Sequence, residues 1–178
     1  MSQQIRNLIN LLIEHELPET WIRVKWNNSE INVGWTNMKN QDNLKKHSMP
    51  LSIGINVLSD PNFVAAEHEK FNKYIGRNNT DILVVAAEWL NDTGEDPEFT
   101  EDIPSVRLIS VRHAEPPERQ KYNSQNPLSE QLDERRRDSS IDPDNPPITD
   151  FSNFVHGPTL IRQKIAEFEA RKRSKKSS

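Results

Sequence analysis

Apolar residues first recur at helical spacing at Ile5, Leu8, Ile9, Leu12 and Ile13, which predicts a short amphipathic helix over residues 2–15. Ser2 can cap its start and Pro18 ends it. Trp21, Val24 and Trp26 then lie in a run of extended-type residues, and Ile31-Asn32-Val33-Gly34-Trp35 alternates apolar with small or polar positions. With the turn chemistry of Asn27-Asn28-Ser29 between them, these two runs predict a β-hairpin. Residues 37–47 form a polar helical stretch closing on Lys45-Lys46-His47, cations that suit a helix C-terminus. The short apolar run from Ser52 to Leu58 has no period that separates strand from helix.

Beyond the Asp60-Pro61 turn, residues 69–76 alternate with Phe71 and Ile75 as inward positions, which predicts a strand. Asn78-Asn79 is a hairpin signal, and residues 81–89 are apolar enough for a central strand. Residues 91–102 hold six acidic residues and no basic one, a loop composition. Ser105 to Arg112 alternates again, with Val106, Leu108 and Ser110 on one side and Arg107 and Ile109 on the other. Pro116-Pro117 marks the start of a helix containing Glu118, Arg119 and Tyr122. Residues 123–150 carry prolines, dense charge and few large apolar residues, too little burial to offset ordering entropy. Leu160, Ile161, Ile165 and Phe168 restore helical spacing before the basic run Arg171-Lys172-Arg173-Ser174-Lys175-Lys176. The expected fold is α+β: an antiparallel sheet with helices packed on one face, then a disordered linker and one C-terminal helix. The expected division is an N-terminal helix and strand extension (1–30), a folded domain (31–123), a disordered linker (124–157) and a C-terminal helix with a basic tail (158–178).

Composition narrows the function. A chain of 178 residues is one domain plus tails, and 33% hydrophobic against 28% charged residues confines the core to part of it. The absence of cysteine excludes a disulfide scaffold, a thiolate metal site and a cysteine nucleophile. No apolar run approaches the ~18 residues of a membrane span, and no signal-peptide pattern is present. The expectation is a cytoplasmic protein with no membrane contact. A net charge of −4 excludes a generally basic nucleic-acid coating: residues 1–122 carry −5, while residues 123–178 are locally basic. His15, His68 and His156 lack metal-ligand spacing, and no glycine-rich phosphate loop or Ser/His/Asp arrangement can be placed, so no metal or cofactor is expected.

From Trp35 to Tyr122 the order of motifs resembles the BrnT toxins of bacterial type II toxin–antitoxin pairs. Trp35 precedes Asn43-Leu44-Lys45-Lys46-His47, similar to the family's helical Asn-Leu-x-Lys-His. Glu69-Lys70-Phe71 leads to Ile75-Gly76, and Leu83-Val84-Val85 follows. The most specific piece is Arg107-Leu108-Ile109-Ser110-Val111-Arg112 with Glu118-Arg119-Gln120-Lys121-Tyr122. The resemblance covers roughly half the chain. A second segment, Asp142-Pro143-Asp144-Asn145-Pro146-Pro147-Ile148-Thr149-Asp150-Phe151, resembles the acidic, proline-rich stretch of the partner BrnA antitoxins. The resemblance implies a RelE-like fold, endoribonuclease activity that arrests translation, neutralisation by a BrnA-like antitoxin, and contact with operator DNA only through that antitoxin.

Metal-free RNA cleavage needs a base for the 2′-hydroxyl, cations for the pentacoordinate phosphate and an acid for the leaving oxygen. His47 is the matched histidine, Arg107 and Arg112 the matched arginines, and Lys70 stands where the family usually has arginine. Lys46, Arg77 and Arg119 are further candidates for binding RNA. Each has a structural alternative. His47 can cap helix carbonyls, one arginine can pair with Glu118, Tyr122 can be packing, and an odd separation puts Arg107 and Arg112 on opposite faces of a regular strand. Ala87, Glu88 and Trp89 replace the family's polar pair, and the acidic loop would repel RNA. Two other readings therefore stand beside the ribonuclease: a non-catalytic interaction module, and a self-neutralised fusion in which residues 141–170 cover the chain's own site.

Overall fold

The structure, a computed structural model, describes residues 19–26, 29–67, 71–79, 81–90, 103–126 and 144–176. The helix expected over 2–15, the acidic loop 91–102 and residues 127–143 lie outside the described residues.

The hairpin forms as its alternation requires. Strand β1 (Glu19–Trp26) pairs antiparallel with β2 (Ser29–Thr36) along its whole length, from Glu19 opposite Thr36 to Trp26 opposite Ser29. Gly34 is needed here because the Trp21 ring lies on it: a Cβ at Gly34 would sit 2.2 Å from the indole. Helix α1 (Asn37–His47) starts at once, capped by the Thr36 hydroxyl, and ends with Ser48 in the left-handed region. The ambiguous apolar run resolves as a 3-10 turn (Leu51–Ile53) and a short helix α2 (Gly54–Ser59). Strands β3 (Val64–Ala66), β4 (Asn72–Asn78), β5 (Asp81–Trp89) and β6 (Ser105–His113) follow, then helix α3 (Pro116–Gln125), strand β7 (Phe154–His156) and helix α4 (Gly157–Lys176). Phe71 precedes β4 and is only half-buried, whereas Ile75 is fully buried.

The α+β class holds, with three corrections. The sheet is mixed: in the order β1-β2-β6-β5-β4-β3-β7 all neighbours are antiparallel except β2 and β6, which run parallel through Asn32–Ser105, Val33–Val106 and Gly34–Arg107. Helices cover both faces rather than one. Val57 and Leu58 of α2 and Leu160, Ile161 and Ile165 of α4 join the core built on Ile31, Tyr74, Leu83 and Val111. On the other face Tyr122 of α3 closes a cluster of Val64, Ile75, Ile82, Val84 and Ala114. Third, the expected linker is ordered at both of its described ends. Residues 124 and 125 finish α3, and from Asp144 onward Ile148, Phe151 and Phe154 pack on the second cluster before β7 extends the sheet at β3. Composition alone hides this, because a few apolar residues suffice when a preformed face receives them. The basic run Arg171–Lys176 continues α4 as helix.

One irregularity decides which residues share a face. In the β5–β6 pair, Ala86 lies opposite Ser110 but Ala87 lies opposite Leu108, so Ile109 is an extra, bulged residue. The bulge reverses the alternation: Val106, Leu108 and Val111 all enter the first core. Arg107 opposite Glu88 and Arg112 opposite Val84 consequently lie on the same face, correcting the opposite-face expectation for a regular strand. The bulged stretch extends past its parallel neighbour, since β2 reaches only Arg107. Asn43 of α1 takes over there. Its Oδ1 accepts from the Val111 amide at 3.0 Å and the Ser110 hydroxyl at 3.1 Å, and its Nδ2 donates to the Val111 and Met49 carbonyls, both at 2.9 Å. Asn43→Ala leaves these buried groups without partners, with an expected loss of about 2–4 kcal/mol in denaturant unfolding; a loss below about 0.5 kcal/mol would show that water replaces the amide.

Candidate active site

The centre of the site is a buried ion pair. Arg112 near the end of β6 and Glu118 in the first turn of α3 are 2% and 0% exposed. Their two parallel hydrogen bonds, Nη1 to Oε2 and Nη2 to Oε1, both measure 2.7 Å. The first turn of α3 fixes Glu118: Pro116-Pro117 opens the helix, and Glu115 and Glu118 form a capping box in which the Glu118 carboxylate accepts from the Glu115 amide at 2.7 Å. Glu118 therefore both closes the helix start and pairs with one of the two arginines.

Arg112 has no donor left over. Beyond Glu118, Nη1 donates to the His113 carbonyl at 2.9 Å, Nε to the Asn145 carbonyl at 2.7 Å and Nη2 to the Pro146 carbonyl at 3.2 Å. All five N–H groups of the guanidinium are engaged. The Glu118 carboxylate accepts four hydrogen bonds, the fourth from the Ile148 amide at 2.8 Å.

Three of those partners belong to residues 144–151, a strap laid across the second face of the sheet. Asn145 is fully buried and donates to the Val84 carbonyl at 3.1 Å. The Pro146 carbonyl also accepts from the Lys73 ammonium. Asp144 pairs with Lys39 at 2.6 Å and lies 3.9 Å from Lys46. Pro146 and Pro147 are exposed; Pro146 supplies a carbonyl acceptor, and both restrict the backbone of the strap. The strap thus offers the cations one carboxylate and two carbonyl oxygens, the kind of acceptor a phosphodiester offers.

The candidates from the sequence fare unequally. Lys46 and Arg112 are brought together by the strap. Lys70 lies outside the described residues; Lys73 on β4, not among the sequence candidates, donates to the Pro146 carbonyl. Its signal was the alternation Lys73, Ile75, Arg77, which puts two cations on the face of Ile75 and its neighbour Ile82. His47 is buried at the end of α1, one turn beyond Asn43. Arg119 is buried on α3 beside Glu118. Arg107 shares the face of Arg112 but not its partners: it lies five residues back on β6, with Nη2 3.3 Å from Glu19 and a buried Nε that has no partner.

Arg77 belongs to a neighbouring cluster. Its amide donates to Asp60 Oδ2 at 2.8 Å, and its guanidinium lies 5.9 Å from the Tyr122 ring centroid. The Tyr122 hydroxyl donates to the same carboxylate oxygen at 2.7 Å. Burial, then the Asp60 carboxylate, push the Tyr122 phenol far above its ordinary range. Tyr122 is therefore a proton donor here and not a base at neutral pH. Burial likewise lifts Tyr74 to about 12, opposed by the Trp89 indole N–H that donates to it at 2.8 Å.

The chain contains two tyrosines, and both are raised. The native state holds these protons after the unfolded chain has begun to lose them, so their contribution is complete below about pH 10 and falls away as pH rises beyond it. Ultraviolet titration should show no tyrosinate near pH 10 in the folded protein, and stability should decline above that pH. Ionisation of either residue with an ordinary midpoint near 10 would contradict the buried, Asp60-linked geometry. Compared with known proteins, the chain matches no family model, and no curated protein sequence matches it.

Proposed function

We propose that this chain is a BrnT-like ribonuclease toxin held closed by its own C-terminal segment. The supporting observation is the saturation of Arg112 by the strap. On this reading Arg112, Lys73 and Lys46 hold the scissile phosphate, His47 supplies acid or base catalysis, and cleavage proceeds by attack of the RNA 2′-hydroxyl without a metal. RNA cleavage would arrest translation. The strap takes the place that a separate antitoxin occupies in a two-chain system.

Chemical matching supports the closed form. Arg112 cannot bind a phosphate oxygen while its Nε and one Nη2 hydrogen serve Asn145 and Pro146. When the strap leaves, those donors and the Lys73 ammonium become available to an anion that takes its place in the groove. Glu118 keeps the guanidinium in place throughout. The other route to an active-site arginine, Arg107, is less suited, because its carboxylate partner Glu19 is on β1 and not on the strap.

The test uses the full chain with Asp144→Lys, Asn145→Ala and Ile148→Asp combined. These changes repel Lys39 and Lys46, remove the bond to Val84 and put a charge on the apolar cluster. The wild-type chain should leave RNA intact and fail to arrest translation. The strap variant should cleave, and adding His47→Gln or Lys73→Gln should cut the rate about 100-fold or more. A folded strap variant that cleaves no faster than the wild type would overturn the proposal. Arg112→Ala is not a usable control, since it strands a buried Glu118 at a cost of about 3–5 kcal/mol.

A further inference from the structure

A second concave site lies away from the strap, at the seam between the core and the C-terminal segment. The end of β1 supplies Lys25 and Trp26, the end of α2 supplies Ser59, and the turn after it supplies Asp60 and Pro61. His156 of β7 and Pro158 and Arg162 of α4 close the other side, leaving a cleft of about 240 Å³. Its charge is unbalanced. Glu30, the cross-strand neighbour of Lys25, turns instead toward Arg23 at 3.8 Å. Lys25 has no carboxylate partner among the described residues. Arg162 has none either; its guanidinium lies 6.0 Å from the Trp26 ring centroid. Asp60, the acid in the wall, is already occupied: Oδ1 accepts from the Asn62 amide at 2.9 Å, and Oδ2 from the Arg77 amide and the Tyr122 hydroxyl.

Two cations without a carboxylate partner among the described residues, set on opposite sides of one seam, repel each other, and an anion between them reverses the sign of that interaction. The space is small for an extended ligand and large enough for a compact one. Arginine's planar fork favours an oxyanion with two oxygens to offer, and lysine adds a mobile point charge. Trp26 gives the site a rigid apolar floor, fixed by its indole donating to the Leu58 carbonyl at 3.2 Å.

We propose that this cleft is a phosphate site, taking a phosphoryl group between Lys25 and Arg162, whether free or carried on an RNA chain. The bound group bridges β1 to α4 and so favours the docked C-terminal segment. That last consequence rests on the closed-site reading above; the binding itself does not.

The experiment titrates inorganic phosphate into the full-length wild-type chain at constant ionic strength, with chloride as the reference. Indole fluorescence and the thermal midpoint are followed together. A saturable change in both is expected. Lys25→Gln with Arg162→Gln should weaken the affinity about tenfold or more, while Lys172→Gln, outside the cleft, should leave it unchanged. A short oligoribonucleotide distinguishes the sources. Tighter binding than phosphate, competed by phosphate, assigns the site to the RNA backbone; equal or weaker binding assigns it to the free anion. No saturable effect beyond chloride, or equal affinity in the double variant, overturns the proposal. Because no cleavage is measured, failure here is separate from failure of the strap variant to cut RNA.

Discussion

Everything distinctive about this chain turns on a charged pair kept out of water. Burying a guanidinium and a carboxylate costs several kcal/mol per ion, and their mutual attraction offsets this only when the remaining donors and acceptors also find partners. Arg112 and Glu118 meet that condition through contributions from three places: the backbone of β6, the first turn of α3 and the strap. Neither ion can be removed without stranding the other. The strap alone can in principle withdraw and leave the pair intact, because Glu118 still holds two guanidinium N–H groups. The pair is thus a structural hub whose third set of partners comes from a separate segment of the chain.

Two local devices place Arg112 and bring further cations beside it. The bulge at Ile109 resets the alternation of β6 and returns Arg112 to the outer face, while Val111 stays in the core. Asn43 then stands in for the missing strand partner of Val111, which fixes α1 against the sheet and sets Lys39 and Lys46 beside Asp144. Lys73 comes from β4 by simple alternation. The acidic, proline-containing strap meets a surface whose cations were assembled by three separate elements, so its fit is not the product of one local motif.

Five of the seven strands were legible in the sequence, because they are apolar or alternating and bounded by turn residues such as Asp60-Pro61 and Asn78-Asn79; the three-residue strands β3 and β7 were not. The capped start of α3 and its Glu118 pairing could be read from Pro116-Pro117 and the glutamate that follows. The mixed topology could not, since nothing in the residues of β2 says that β6 rather than a sequential neighbour lies beside it. The bulge was hidden for a related reason: Ile109-Ser110 fits a regular strand as well as an irregular one. The order of residues 144–157 escaped because its stability comes from surfaces made elsewhere: Ile148 and Phe151 are isolated in sequence yet land on one apolar cluster. Lys73 escaped because motif matching pointed to Lys70, which lies outside the described residues, whereas alternation along β4 brings Lys73 to the strap.

The central claim is that the strap is docked on the ion pair in the native protein. Native-state hydrogen exchange at the Ile148 amide tests it most directly, because that N–H donates to Glu118 Oε1 and to nothing in the strap itself. The account predicts strong protection, with exchange slowed about 100-fold or more relative to an unstructured chain, and loss of that protection in the Asp144→Lys variant while the amides of β5 stay protected. Exchange at Ile148 as fast as in an unstructured chain, with β5 still protected, would contradict it.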